Sequence, residues 1–247
     1  MSKLDRVFAE SKPILGMLHL GGDTPEDRLS RAEHEARILA DAGVDGFVVE
    51  NYFGDATDVE RALERLVALN LGPRIGVNLL RDNDRAFALA RQYPVDFIQI
   101  DSISGHLSPE DEPGFAAHLA QDRASVPALL LGGVRFKYQP VLSGRTEAED
   151  LALGAKRCDA VVVTSDATGQ ETDPEKLRRF RATLGDATPI IVGAGMTEAN
   201  AEAQLALADG AIVGSWLKEG HVDKGLMSAE YAQRFMGAVR RARAVLA

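Results

Sequence analysis

The sequence predicts a single α/β domain, a (β/α)8 TIM barrel that spans residues 1–247. Three observations lead to this prediction. Short apolar runs alternate with longer helical segments along the whole chain, and no linker interrupts them. The runs are rich in Val, Ile and Leu with little polar alternation, as in parallel strands buried on both faces. The pattern contains eight such units, which favours a closed barrel over an open doubly wound sheet.

The apolar runs are interpreted as the barrel strands. In chain order we expect them at residues 14–19, 46–50, 74–79, 96–101, 128–134, 159–164, 189–192 and 210–213. The turn after the first run, Leu20-Gly21-Gly22-Asp23, lacks the Gly-x-Gly-x-x-Gly spacing of a dinucleotide site. A Rossmann-type sheet is therefore not favoured.

The segments between the strands have the apolar spacing of amphipathic helices. We expect helices at residues 26–42, 58–69, 84–92, 115–121, 147–157, 174–184, 198–207 and 229–245. The first of these places Leu29, Ala36 and Leu39 on one side and is followed by Gly43, a common helix stop. Asp173-Pro174 and Thr197-Glu198 are typical helix starts, because their side chains can accept hydrogen bonds from unpaired amides.

The composition excludes several classes of function. Lys and Arg total 28 against 37 Asp and Glu, a formal net charge of −9. A nucleic-acid partner is not expected, because binding phosphate backbones requires a concentrated basic face. No segment approaches the roughly 20 apolar residues of a membrane-spanning helix, and the charged N-terminal segment does not resemble a secretory signal. We therefore expect a cytoplasmic protein with no membrane insertion.

Cysteine is represented only by Cys158. A single cysteine excludes an internal disulfide framework and a cysteine-rich metal site. Cys158 lies among apolar residues ahead of a predicted strand, so we interpret it as an inert, buried thiol.

In a TIM barrel, functional residues lie at the carboxyl ends of the strands and in the loops that follow. In this sequence those positions carry many polar side chains: His19, Glu50, Asn51, Asn78, Arg81, Asp101, Lys137, Thr164 and Ser165. A barrel that served only as a scaffold would not need so many ionisable groups at one rim. We therefore expect the functional site there.

Two glycine turns in the last quarter of the chain predict a phosphate site. Gly193-Ala194-Gly195 follows the seventh expected strand, and Gly214-Ser215 follows the eighth, with Lys218 shortly after. Glycine turns let backbone amides approach an anion, and a helix N-terminus after such a turn favours negative charge. The loops after strands seven and eight are the usual phosphate site of this fold. The alternative is that the glycines serve only tight turns.

Glu50 and Asp101 are the candidate acid and base. A carboxyl group in the mouth of a dry barrel can have its pKa raised toward neutrality by burial or by a second carboxylate, as proton transfer at neutral pH requires. His19, Asn51 and Asn78 are expected to orient the substrate, and His19 could share the proton transfer.

Two alternatives remain for the same residues. His19, Glu50 and Asp101 are not spaced as any metal motif, so no cofactor is predicted, although a divalent metal stays an alternative. Lys137 could form a Schiff base, as aldolase lysines do, or it could be an anion partner or a solvated side chain.

Several segments, taken together and in order, resemble the BtpA family. They are GMLHL at 16–20, AGVDG at 42–46, ENYFGDA at 50–56, GVNLLR at 76–81, DATG at 166–169, GAGMT at 193–197 and DGAIVGSWLK at 209–218. The resemblance runs from about Pro13 to Lys218. It implies a TIM-like barrel. It also implies a link either to photosystem I biogenesis at thylakoid membranes, after which the family is named, or to sugar utilisation.

Three functions are consistent with these observations. The first is an enzyme that acts on a small phosphorylated sugar or nucleotide-like metabolite by acid/base chemistry, such as isomerisation, lyase chemistry or glycosidic-bond cleavage. The second is a non-catalytic biogenesis factor for a photosystem or membrane complex, as the family name suggests. The third is a sensor that binds the same ligands without converting them.

Such barrels often pair, and a homo-oligomer interface could be formed by Leu226, Met227, Tyr231 and Phe235, although core packing explains these residues better.

Overall fold

The computed structural model describes residues 3–246 and shows one closed barrel of eight parallel strands in the order β1 to β8. The strands are Ile14–Leu18, Gly46–Glu50, Arg74–Asn78, Phe97–Ser104, Leu129–Val134, Ala160–Val163, Ile190–Val192 and Gly210–Val213. Helices α1 to α8 alternate with them and are Pro25–Ala42, Ala56–Leu69, Asn83–Gln92, Glu112–Ala124, Glu147–Arg157, Pro174–Leu184, Ala201–Leu207 and Ala229–Leu246. The predicted (β/α)8 TIM barrel is confirmed.

Two apolar layers hold the barrel together, one inside the strands and one between strands and helices. The inner layer includes Leu15, Met17, Val48, Phe97, Leu129, Leu131, Val162, Ile191 and Ile212. Strand neighbours of these residues, such as Leu18, Val49 and Val161, pack outward against the helices. Because successive side chains of a strand point to opposite faces, strands buried on both faces are apolar at nearly every position.

The N-terminal segment closes the amino end of the barrel. Leu4 and Phe8 belong to the inner apolar layer, and the Phe8 ring lies 5.8 Å from that of Phe97. Water is therefore kept out of one end of the barrel, and the carboxyl ends of the strands form the open end.

Strand β4 differs from the sequence prediction, because it continues past Asp101 to Ser104. Its pairing with β5 changes register between Ile100 and Ser104, which is the signature of a bulge. Gly133 of β5 allows this geometry, since a Cβ at that position would lie 1.9 Å from the Asp101 carbonyl oxygen. Asp101 therefore lies within an irregular part of the strand.

Helix starts follow local capping chemistry. Thr24, Asp55 and Thr146 each form a capping box with the residue three positions later. The prediction that Asp173-Pro174 starts a helix is confirmed, because the Asp173 side chain accepts the Glu175 N–H. The predicted start at Thr197-Glu198 is wrong.

Helix α7 begins only at Ala201, because Thr197 and Asn200 form a turn in which the Asn200 side chain accepts the Thr197 N–H at 2.7 Å. Helix α4 begins earlier than expected, at Glu112, with Pro113 in its first turn. In residues 3–246, no helix has the length and apolar content needed to cross a membrane.

The outer layer explains several residues that the sequence left open. Cys158 is buried, and burial raises the pKa of its thiol to about 12, as expected of an inert side chain. Met227 and Phe235 are buried in the same layer, so their interpretation as core residues is confirmed. For Leu226 the same interpretation is wrong, because this residue lies in the loop before α8 and is 57% exposed.

We expect Gly133→Ala to destabilise the protein by about 1–3 kcal/mol, because the new methyl group overlaps the Asp101 carbonyl oxygen. Gly114→Ala is the matched control: it adds the same methyl group on exposed helix α4, with nothing within 4 Å, and should stabilise by about 0.5–1 kcal/mol. Urea unfolding of both variants measures the difference. Equal stability of the two variants would contradict the described contact between β4 and β5.

Candidate functional site

The carboxyl ends of the strands surround a cavity of about 560 Å³. This volume is within the range of small-molecule sites. Ten of the residues expected from the sequence line it: His19, Glu50, Arg81, Asp101, Lys137, Gly193, Ala194, Gly195, Gly214 and Ser215. The structure thus brings residues from seven of the eight strand ends into one space.

Asn78 joins the two candidate acid/base residues. Its Nδ2 donates to Glu50 Oε1 at 2.8 Å and to Asp101 Oδ1 at 3.1 Å. An amide nitrogen has two hydrogens, so one Asn78 side chain satisfies one oxygen of each carboxyl group. Glu50 is the last residue of β2, Asn78 is the last residue of β3, and Asp101 lies in the second half of β4. The three residues therefore lie side by side on neighbouring strands.

Both carboxyl groups hold their protons more tightly than usual. Burial raises the pKa of Glu50 to about 8, and the negative charge of Asp101 acts in the same direction. Burial raises the pKa of Asp101 too, against the hydrogen bonds from Asn78 and Gln99. The positive charge of Lys137 lowers the pKa of both groups without reversing the shift. The pair can therefore carry a proton near neutral pH.

His19 lies beside Glu50 as a neutral imidazole. Burial, followed by the charge of Lys218, lowers the pKa of His19 well below its usual value. Lys218 Nζ lies 2.9 Å from His19 Nδ1, and His19 Nε2 lies 3.7 Å from Glu50 Oε2. Since the lysine is a donor, Nδ1 is the acceptor and the ring hydrogen is on Nε2, on the side of Glu50.

Lys218 therefore has a different position from the one expected. It is fully buried, donates to the Asp223 carbonyl at 3.0 Å as well as to His19, and does not line the cavity. Its contacts make it a support for His19 rather than a ligand for an anion in the cavity.

Three other expected residues do not line the cavity, and two of them hold loops of the rim. Asn51 accepts the Leu80 N–H at 2.7 Å and so holds the loop after β3. Thr164 is buried and accepts the Lys137 N–H at 3.1 Å. Ser165 is also buried, and its Oγ has no hydrogen-bond partner in the described part of the chain.

The residues of both glycine turns line the cavity, but the N–H of Gly193 is not free to bind an anion there. Its N–H donates to the Val163 carbonyl at 2.7 Å as part of the sheet. In residues 3–246 the N–H groups of Ala194, Gly195, Gly214 and Ser215 form no such bond. The expected helix N-termini do not follow the glycine turns, because α7 starts only at Ala201 and a short 3-10 turn, Ser215–Leu217, follows β8.

Lys137 is a cation in the cavity wall that has no ionic partner. Its Nζ lies 5.8 Å from the centre of the Phe136 ring and forms no ion pair with any described residue. Arg81 also lines the cavity, and its φ of 67° is in the left-handed region that non-glycine residues rarely adopt. Such strain is concentrated at functional sites.

Sequence reasoning missed several residues that line the cavity: Tyr52, Gln99, Tyr138, Thr168, Trp216 and His221. Gln99 could have been found, because it lies two positions before Asp101 and so shares its face of β4. The aromatic residues come from loops, where spacing gives no such signal. Trp216 and His221 stack with ring centres 3.9 Å apart.

A cluster that could bind a metal lies elsewhere on the barrel. Within residues 3–246, Asp84, His118 and Asp122 are the group whose potential ligand atoms are close together. They lie on α3 and α4, where His118 Nε2 is 2.7 Å from Asp84 Oδ1. This cluster is separate from the cavity and from His19, Glu50 and Asp101, whose spacing matches no metal motif and for which a divalent metal was only an alternative.

Comparison with known proteins gives one family. The family model described as the BtpA family matches residues 10–241. An uncharacterized protein of Pyrococcus abyssi is 29% identical over 94% of this chain and 98% of its own length. The photosystem I biogenesis protein BtpA of Synechocystis is 28% identical over 90% of this chain and 86% of its own.

Solved structures share the fold at low sequence identity. Thiamine phosphate pyrophosphorylase from Pyrococcus furiosus superposes with a TM-score of 0.59 and 14% identity, covering 94% of this chain and 96% of its own. This similarity shows the barrel alone. The family match covers nearly the whole barrel, including every strand end that lines the cavity. The chain therefore belongs to the BtpA family.

Proposed function

We propose that the protein is an enzyme that transfers protons on a small phosphorylated metabolite, a sugar phosphate or a nucleotide-like compound. The observation that carries the proposal is the pair of carboxyl groups, Glu50 and Asp101, which share the Asn78 amide at the edge of the cavity. Two buried carboxyl groups with raised pKa values are costly for stability, and such groups occur mainly where proton transfer is needed.

The geometry supports acid/base roles for this pair. A general acid or base works best when its pKa is close to the working pH, and burial raises the pKa of Glu50 to about 8. Glu50 can then exist in both protonation states near neutrality. Asp101 is the second group that can hold the proton, and its charge adjusts the affinity of Glu50 for it.

His19 supplies a neutral donor next to the pair. With Lys218 at Nδ1, its Nε2–H is directed to the side of Glu50 and can donate to a substrate oxygen in the cavity that it lines. A neutral imidazole donor can stabilise negative charge that develops on such an oxygen.

A phosphate group would be held at the opposite part of the rim. The N–H groups of Ala194, Gly195, Gly214 and Ser215 and the ammonium group of Lys137 are the donors that support this site. Loops after strands seven and eight bind phosphate in many barrels of this fold, and the thiamine phosphate pyrophosphorylase that shares the fold is named for a phosphate compound.

The Synechocystis relative is named for a role in photosystem I biogenesis, and a biogenesis role is therefore the alternative function. Assembly of a membrane complex would not require two carboxyl groups that share one amide beside a cavity. A sensor would keep the phosphate site and would not require the raised pKa of Glu50. Catalysed proton exchange on a phosphorylated compound would distinguish the enzyme from both.

Proton transfer can be detected without knowledge of the substrate. The purified protein would be incubated in D2O with ribose 5-phosphate, ribulose 5-phosphate, glucose 6-phosphate, fructose 6-phosphate and nucleoside monophosphates, and NMR would record deuterium incorporation or conversion. We expect at least one compound to react, and Glu50→Gln to slow that reaction by about 10²–10⁴-fold, because the variant has no group to accept the proton.

Glu50→Gln keeps the shape of the side chain and should bind the reacting compound within a few-fold of the unmodified protein. Retention of the full rate in this variant would remove Glu50 from the mechanism. Absence of any reaction across the panel, with binding retained, would favour the sensor.

Lys137→Gln should weaken binding of inorganic phosphate by about tenfold or more, because a charge-assisted hydrogen bond to the anion is lost. Lys156→Gln is the matched control, since it makes the same change of charge at an exposed position of α5. Isothermal titration calorimetry of both variants measures the effect. An equal change in the two variants would mean that Lys137 acts only through net charge.

The raised pKa of Glu50 also makes stability depend on pH. The folded state binds the proton more tightly than the unfolded state does, so the free energy of unfolding falls as pH rises toward and past about 8. Glu50→Gln removes this contribution. Between pH 7 and pH 9, the Tm of the unmodified protein should fall relative to that of the variant, as measured by calorimetry; parallel curves would contradict the raised pKa.

A further inference from the structure

Two polar atoms in the wall of the cavity have no hydrogen-bond partner among residues 3–246, Gln99 Oε1 and Thr168 Oγ1, and of these two residues Gln99 is the buried one. Gln99 lines the cavity and is only 5% exposed, and its Oε1 accepts no hydrogen bond from residues 3–246. A buried acceptor without a donor is costly to a folded protein, so such atoms are rare and often belong to ligand sites.

The environment decides which end of the amide is unpaired. Gln99 Nε2 lies 3.5 Å from Asp101 Oδ1, and that oxygen already accepts from Asn78. Because the carboxyl oxygen is an acceptor, it requires a donor, so the nitrogen of Gln99 faces it and the oxygen is left free. The bond at 3.5 Å is also long, so Nε2 keeps capacity for a second, shorter bond.

The cavity that Gln99 lines also has apolar side chains in its wall. Gln99 is paired in register with Leu131 of β5, and Met17 and Ile212 line the same cavity. A ligand that satisfies Gln99 Oε1 and also contacts these apolar side chains would combine a hydrogen-bond donor with carbon–hydrogen surface. A sugar or polyol carbon that carries a hydroxyl group has both properties.

We propose that Gln99 Oε1 accepts a hydrogen bond from a hydroxyl group of the substrate, and that the substrate is a phosphorylated sugar or polyol. The inference rests on the function proposed above and narrows it to one substrate class. The hydroxyl-bearing carbon lies beside Gln99, next to the Glu50 and Asp101 pair, and the phosphate lies at the glycine turns. A neighbouring hydroxyl can accept from Nε2, so vicinal hydroxyls match both ends of the amide.

Gln99→Met tests this assignment, because methionine has a similar length and no amide. Calorimetry would measure binding of ribose 5-phosphate, glucose 6-phosphate, fructose 6-phosphate and methyl phosphate, the last of which has no hydroxyl group. We expect the unmodified protein to bind at least one sugar phosphate tenfold or more tighter than methyl phosphate. In Gln99→Met this advantage should fall below about threefold, with binding of methyl phosphate unchanged.

Ser102→Ala is the matched control. Ser102 lies on the same strand, is also 5% exposed and also has an unpartnered hydroxyl oxygen, but it does not line the cavity. Its removal should leave all four affinities unchanged. Both variants should have a Tm equal to or higher than that of the unmodified protein, because each removes an unsatisfied buried atom.

Each other outcome overturns the inference in a recognisable way. Equal binding of sugar phosphates and methyl phosphate would reject the proposed hydroxyl site at Gln99, whereas the proposed phosphate site would remain supported. An equal loss for methyl phosphate in Gln99→Met, or the same loss in Ser102→Ala, would show that the change acts through the fold. Failure of every phosphate compound to bind the unmodified protein would reject both this inference and the phosphate part of the proposed function.

Discussion

Closure of eight parallel strands into one barrel determines where the polar side chains of the cavity lie. Parallel strands must all end at the same rim, so residues far apart in sequence become neighbours. Glu50, Asn78 and Asp101 lie on three consecutive strands, and one amide of Asn78 can therefore bind both carboxyl groups. The N-terminal segment closes the amino end of the barrel with apolar side chains, so water does not reach the carboxyl pair from that end.

The site is built from groups that reduce stability. Burial favours the neutral form of each of three side chains: it raises the pKa of Glu50 and lowers the pKa values of His19 and Lys218. Gln99 adds an acceptor without a donor, and Arg81 adds a strained backbone. The two apolar layers of the barrel supply the stability that these features remove. Concentration of such costs around one cavity is typical of functional sites, where activity and stability compete.

Local pattern was sufficient to predict the strands, because a strand buried on both faces is apolar over its whole length. It was not sufficient where tertiary contacts decide. The extension of β4 past Asp101 depends on a bulge that only a glycine at position 133 on the neighbouring strand permits. The late start of α7 depends on a turn held by Asn200, which competes with the helix start expected at Thr197.

The same distinction applies to the site. The sequence placed His19, Glu50 and Asp101 at one rim because strand ends converge, but it could not show which groups share hydrogen bonds. Gly193 and Lys218 were expected to bind phosphate. The N–H of Gly193 instead donates to a carbonyl of the neighbouring strand, and the ammonium group of Lys218 donates to His19. These partners come from distant parts of the chain, which spacing along the sequence does not reveal.

The proton-transfer role proposed for Glu50 depends most directly on the raised pKa of its buried carboxyl group. A carbon-13 NMR titration of protein labelled at the glutamate δ-carbons tests it most directly, with the Glu50 signal assigned by its loss in Glu50→Gln. We expect a midpoint near pH 8 for Glu50. A midpoint near the ordinary value of 4.5 would contradict it, since Glu50 would then be a permanent carboxylate at neutral pH.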